Sequence, residues 1–193
     1  MLNLSPAVRT ELARALRDSH YEMAPSGVLF PRAGLLLGGV FGCRIDDGPM
    51  HYGPNAVANE GINAMLDVFF HAGAQTTAWF IAPFTTNVAP TAALTAAAFA
   101  ATQGEYTAYT EAARQAWTVD AAPTAQIIQN SVAPAVFTIG VAAATIYGAG
   151  LLSASAKGAT TGTLAAAGLF GVSNTLNPGS KLTVTYQLTG TST

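Results

Sequence analysis

What most constrains this chain is where it lacks charge. Only 9% of its 193 residues are Asp, Glu, Lys or Arg, against about 25% in an ordinary soluble domain. Asp120 is the last acid, and beyond it only Lys157 and Lys181 carry charge. A monomer free in water needs mixed surface charge to stay dispersed. A fold made from this sequence therefore has weakly ionic surface to hide against other subunits, which points to an assembly component rather than a freely diffusing enzyme.

The same composition removes several function classes. A net charge of −2 and a pI near 5.8 supply no basic field, so nucleic acid is not an expected partner. Cys43 is the only cysteine, which excludes an intramolecular disulfide and a cysteine-built zinc cluster; it reads as a small buried apolar residue. Residues 1–22 hold Arg9, Glu11, Arg14, Arg17, Asp18 and Glu22 with no apolar run, so no secretory leader is expected. The mean hydropathy is +0.35. Yet a long uncharged stretch, Ala121–Ala156, is interrupted by Pro123, Gln126, Gln129, Asn130 and Pro134. A spanning helix needs about 20 predominantly apolar residues, so no membrane partner is expected.

Local patterns divide the chain into an N-terminal segment, 1–39, and a body, 40–193. Ser5-Pro6 is a cap residue followed by a proline suited to the first helical position. Val8, Leu12 and Leu16 then recur every four residues, predicting an amphipathic helix from about Pro6 to Ser19. One narrow apolar stripe does not sustain such a helix alone. From Met23 to Gly42, Pro25, Gly27, Pro31, Gly34, Gly38 and Gly39 alternate with Val28, Leu29, Phe30, Leu35, Leu36 and Leu37. Glycine and proline break regular structure while those side chains are costly to leave in water. An extended docking arm, laid in a neighbour's groove or across an open end of its own domain, satisfies both.

The body reads as mostly β. Val40–Ile45 is a strand entering the Asp46-Asp47-Gly48 hairpin turn. Asn59-Glu60-Gly61 introduces its one helix, with Ile62, Met65, Leu66, Phe69 and Phe70 at helical spacing and Gly73 closing it. Strands are predicted at Thr77–Phe84, Glu105–Tyr109, Gln115–Val119, Ala125–Gln129, Thr145–Ser153 and Thr163–Phe170. Ala135, Phe137, Ile139 and Val141 alternate with more polar neighbours, and so do Leu182, Val184, Tyr186 and Leu188. Pro90–Thr102 is ambiguous between loop and short helix. Short strands at this spacing suggest a β-sandwich with one helix in the body, preceded by the N-terminal helix and extended arm.

Catalysis needs convergent polar groups with tuned proton affinities, and none converge here. Asp67 and His71 stand one helical turn apart, a spacing that suits a surface pair better than a metal site. Asp46 and Asp47 are explained by their turn. Gly158-Ala159-Thr160-Thr161-Gly162-Thr163 lacks the lysine of a phosphate loop. Glu111 and Arg114, three apart, suit a salt bridge pinning a turn before Trp117. Trp79, Trp117 and Tyr109 are candidates for a stacking platform, though aromatic residues on strands are more often core. No catalytic residue, metal ligand or cofactor is expected, and the chain does not read as an enzyme.

Taken in order, these residues resemble a family of small tailed-bacteriophage virion structural proteins, head- or neck-associated and decoration-like. The resemblance is carried by Asn59-Glu60-Gly61-Ile62-Asn63 with Leu66-Asp67-Val68 and Phe70, then Thr77-Ala78-Trp79-Phe80-Ile81, Glu105-Tyr106, Tyr109 to Arg114, and Trp117. It continues through Asn130-Ser131, Phe137, Gly148-Ala149, Leu151-Leu152-Ser153, Gly162-Thr163-Leu164, Leu169-Phe170 and Leu182-Val184-Tyr186. It covers about residues 40–190; the first 39 depart from the pattern. The resemblance implies a virion protein assembled in the host cytoplasm, its partners the major capsid protein or other virion subunits and further copies of itself. A capsid decoration, or cement, protein is the leading expectation. A neck, tail or fibre-base component forming a ring or trimer is the alternative, and a carbohydrate-binding attachment module comes behind both. The expected interface residues are Val8, Leu12 and Leu16 on the helix and Phe30, Leu35, Leu36 and Leu37 on the arm.

Overall fold

Alternating apolar residues in the body pair into one long antiparallel sheet. The computed structural model describes residues 5, 7, 8, 10, 11, 14, 21–23, 29–31, 35–121, 123 and 125–192, with backbone alone for 21–23 and 29–31. The chain divides into two compact units, Met1–Leu36 with Thr191–Thr193, and Leu37–Gly190.

In the first unit, the described residues Ala7, Val8, Thr10, Glu11 and Arg14 are helical. The Ser5 hydroxyl accepts a hydrogen bond from Val8 N at 3.4 Å, the capping role that Ser5-Pro6 predicts. Strands β1 (Tyr21–Met23) and β2 (Leu29–Pro31) pair antiparallel, Glu22 opposite Phe30. Within the expected arm, the described residues 23, 29–31 and 35–42 are all in strands.

The second unit holds strands β3 (Leu35–Ile45, continuing from the first unit), β4 (His51–Val57), β5 (Phe80–Phe84), β6 (Gln115–Ala116), β7 (Ile127–Gln129), β8 (Ala135–Thr138), β9 (Ala144–Leu152), β10 (Leu164–Leu176) and β11 (Lys181–Ser192). Their order is β6-β5-β9-β10-β4-β3-β11-β7, with β8 also on β11. The β3–β4 turn forms where Asp46-Asp47-Gly48 predicts it. Asp46 takes a φ of 48°, Gly48 N reaches Ile45 O at 2.9 Å, and the Asp46 carboxylate accepts from Lys181 N at 2.8 Å. Strand β3 starts five residues before the expected Val40, so Leu35, Leu36 and Leu37 lie in a strand.

The sheet curls until its ends approach. Beyond β6, Asp120 N donates to Gln129 O of β7 at 2.8 Å, and the Trp117 indole donates to Tyr186 O of β11 at 3.1 Å. The concave side encloses a core that includes Phe41, Cys43, Ile81, Phe137, Leu151, Phe170, Val184 and Tyr186. Its opposite side, at Ala82, Phe84, Leu152, Leu164 and Ala167, is covered by a helix that the sequence left ambiguous. Helix α2 (Ala96–Gln103) opens with Thr95 Oγ1 accepting from Ala98 N at 3.3 Å and closes on left-handed Gly104. It lacks an apolar stripe; Phe99 anchors it, and its ring lies where a Cβ on Gly150 would be, 2.5 Å away. The described body thus carries α2 besides the expected helix, α1 (Asn59–Phe70).

Several predicted strands shrink. Glu105–Tyr109 makes only isolated bridges, Phe84 with Glu105 and Tyr109 with Ile139. The strand expected from Thr77 begins at Phe80, and that expected over Gln115–Val119 keeps two residues. Val141, at the end of an alternating run, lies in a turn and is exposed.

Candidate functional site

Helix α1 is tethered at its start. Its N-cap is Ala58, one residue before the expected Asn59, and no side chain caps it. Ala58 N and Asn59 N donate to Ala165 O and Ala92 O at 2.9 and 2.8 Å. Glu60 Oε2 accepts from Leu164 N at 2.7 Å and from Ala96 N at 2.8 Å. That carboxylate joins α1 to β10 and sits at the positive end of the α2 dipole. Gly61 permits the close approach, since a Cβ there would lie 2.6 Å from Ala165 Cα.

Past this first turn the apolar side chains stay accessible. No residue of α1 is buried; Phe69 is 79% and Phe70 76% exposed, their rings edge to face at 4.9 Å, with Met65, Leu66 and Val68 also open. The helix ends as Ala72 turns left-handed, a residue before the expected Gly73, whose N donates to Asp67 O at 3.0 Å. Between α1 and the sheet lies an apolar cleft of about 290 Å³, lined by Met65 and Phe69 with Trp79, Trp117, Tyr186 and Leu188 among others.

The polar groups of Trp117 and Tyr186 at this cleft are already engaged. Trp117 N donates to Trp79 O at 2.7 Å and its indole N–H to Tyr186 O. The Tyr186 hydroxyl accepts from Asn55 Nδ2 at 3.0 Å, and burial pushes its phenol well above the usual tyrosine value. The lining holds no charged side chain. Such a surface binds apolar groups by excluding water and offers no acid, base or nucleophile.

The remaining candidates resolve into structural roles. Asp67 and His71 pair at 2.8 Å on the exposed side of α1, and no group of three or more metal-ligating side chains occurs among the described residues. Arg114 does not pair with Glu111. It forms a buried two-pronged bridge to Glu105, Nε at 2.8 Å and a terminal nitrogen at 2.6 Å, and donates to Ala154 O and Ala159 O. Glu111 instead accepts from Thr138 N at 3.1 Å. Lys157 donates to Thr107 O and Tyr109 O and stands 3.8 Å over the Tyr109 ring. Tyr109 is buried in the core and cannot be a stacking platform. Trp79 and Trp117 are half-buried on the cleft. Cys43 is buried, its thiol pushed up to about 11 by desolvation.

Of the expected interface residues, Val8 is 49% exposed, and Leu35 and Leu36 are 65% and 61% exposed. Leu37 is half-buried and lines the cleft. Phe30 lies in β2. Leu12 and Leu16 lie outside the described residues. The sequence placed Met65 and Phe69 on the helix but disclosed neither their exposure nor the cleft. Ile62 to Phe70 spread over an arc of roughly 140° at about 100° per residue, the width of an ordinary core-facing stripe, so the pattern itself carried no signal of their exposure.

No protein-family model matches this chain, and no curated protein matches it. Among the described residues no helix is long and apolar enough to cross a membrane.

Proposed function

We propose that this chain is a structural subunit of a bacteriophage virion, a decoration protein that binds the assembled head and stabilises it. In this reading the curled sheet serves as a β-sandwich, with the β5, β9 and β10 half packed over the β3, β8 and β11 half. The observation that carries the proposal is the open α1 face: Phe69, Phe70, Leu66 and Met65 exposed beside an apolar cleft. Burying two such aromatic side chains on a partner contributes about 1.5–3 kcal/mol each.

Charge supports the same reading. Of the eleven charged side chains in residues 40–193, Asp46, Glu60, Glu105, Glu111, Arg114, Asp120 and Lys157 bind groups within the fold. Glu105 and Arg114 are withdrawn from solvent altogether, which leaves fewer charges for the exterior, as at the charge-depleted cores of protein interfaces. A ligand that binds only the assembled state shifts the equilibrium toward assembly. A glycan-binding role has less support, because the tryptophans face an apolar cleft with the Trp117 N–H already engaged.

Quantitative mass spectrometry of purified particles tests the proposal. Hundreds of copies per particle favour the shell, and about 3, 5, 6 or 12 favour a tail or vertex ring, as closed symmetry requires. A Phe69→Ser/Phe70→Ser variant keeps its melting temperature and is depleted from particles. A chain missing from every particle refutes the proposal.

A further inference from the structure

We infer that the occupant of the α1 cleft is the N-terminal amphipathic helix of a second copy of this chain, its Val8, Leu12 and Leu16 stripe seated against Met65, Phe69, Trp79 and Trp117. This rests on the subunit reading above and names the partner of that surface.

Three observations carry it. First, the cleft is apolar and uncharged, so its occupant presents a row of aliphatic side chains. The sequence predicts such a row in Val8, Leu12 and Leu16, spaced four residues apart. Val8 is helical, capped through Ser5 and half exposed; the positions of Leu12 and Leu16 in the stripe come from their spacing. Second, the lengths agree. At about 1.5 Å per residue, Val8 to Leu16 spans about 12 Å and the cleft wall from Ile62 to Phe69 about 10.5 Å.

Third, the charges are opposite in sign. The predicted helix from Pro6 to Ser19 holds Arg9, Arg14 and Arg17 against Glu11 and Asp18, a balance of +1, while α1 holds Glu60 and Asp67 and neither lysine nor arginine. Exposed charges of opposite sign attract within about 10 Å at moderate salt. A helix laid in an apolar groove is an established mode of recognition, with anchors three and four residues apart. An N-terminal helix that seats on the next copy also links copies head to tail, which closes into rings or extends over a lattice.

Cysteine cross-linking of the full-length chain tests this directly. The native Cys43 is buried with a raised thiol pKa, so it stays silent under mild oxidation. One preparation carries Leu12→Cys, a second Met65→Cys, and the two are mixed. The expected result is a covalent species of doubled mass containing one chain of each kind, lost when Leu16→Glu is added to the first. A second pair, Val8→Cys with Phe69→Cys at two exposed sites, covers the case in which Met65→Cys disturbs the fold.

No mixed cross-link from either pair overturns the inference. So does a single chain carrying both Leu12→Cys and Met65→Cys that closes on itself while the mixture stays unlinked, because the helix then docks on its own body. Met65→Cys chains that link only to one another also overturn it, since α1 then pairs with α1. A chain that enters particles normally yet gives no mixed link sinks this inference and leaves the virion proposal standing. A chain that links as expected but is absent from every particle does the reverse.

Discussion

Arg114 shows how a chain with few charges uses each one. Its guanidinium is fully buried, its charge matched by Glu105, whose side chain is also buried, and its remaining donors meet Ala154 O and Ala159 O. One side chain thereby ties the loop between α2 and β6 to the loop after β9. Removing one member of a buried pair leaves the other charged and desolvated, at a cost of about 3–5 kcal/mol. Arg114→Met is therefore expected to lose about that much stability in urea unfolding, and the double change Glu105→Leu/Arg114→Met to recover part of it. A single variant within about 0.5 kcal/mol of the native chain would show that the bridge is not structural. The spacing of Glu111 and Arg114 suggested a different partner. Three-residue proximity measures reach only on a helix, whereas here a turn carries Glu111 to Thr138 N and the fold brings Glu105 to Arg114.

At the scale of elements, α1 is positioned by its first turn. Gly61 lies against Ala165 with no room for a methyl group, and the Glu60 bonds depend on that approach. Gly61→Ala is expected to push α1 off β10 and to cost about 1–3 kcal/mol, the range for overpacking, despite the better helix propensity of alanine. Calorimetry decides it: a raised melting temperature would mean that α1 already stands clear of the sheet. The elements that pattern disclosed are those with a single buried face, such as β8 and β11, where Leu182, Val184 and Tyr186 alternate with threonine and glutamine. Helix α2 escaped because Ala96–Gln103 has almost no amphipathic contrast; it is held by Phe99 against Phe84 and Gly150, contacts that exist only once β5 and β9 are paired. For α1 the periodicity located the helix but not its exposure, which depends on how little of it the sheet covers.

At the scale of the molecule, low surface charge was legible at once, whereas the curl of the sheet was not, because it rests on bonds between residues far apart in pairing order. Asp120 sits at that junction. Its N–H reaches Gln129 O, and its carboxylate accepts from the Ser131 hydroxyl at 2.6 Å, Ser131 N at 3.0 Å and Val132 N at 2.9 Å. These bonds, the Ser131 hydroxyl first and Val132 N next, hold the carboxyl below its ordinary value of 3.8. A group whose folded pKa is depressed adds stability above its unfolded pKa and loses it as pH falls through the folded one. The junction is therefore fully braced at neutral pH and slackens below about pH 4. Asp120→Asn is expected to lower the melting temperature at pH 7, with the gap from the native chain narrowing toward pH 3. A gap that stays constant over that range would mean that the carboxylate does not close the sheet, and that the indole of Trp117 on Tyr186 holds its ends together alone.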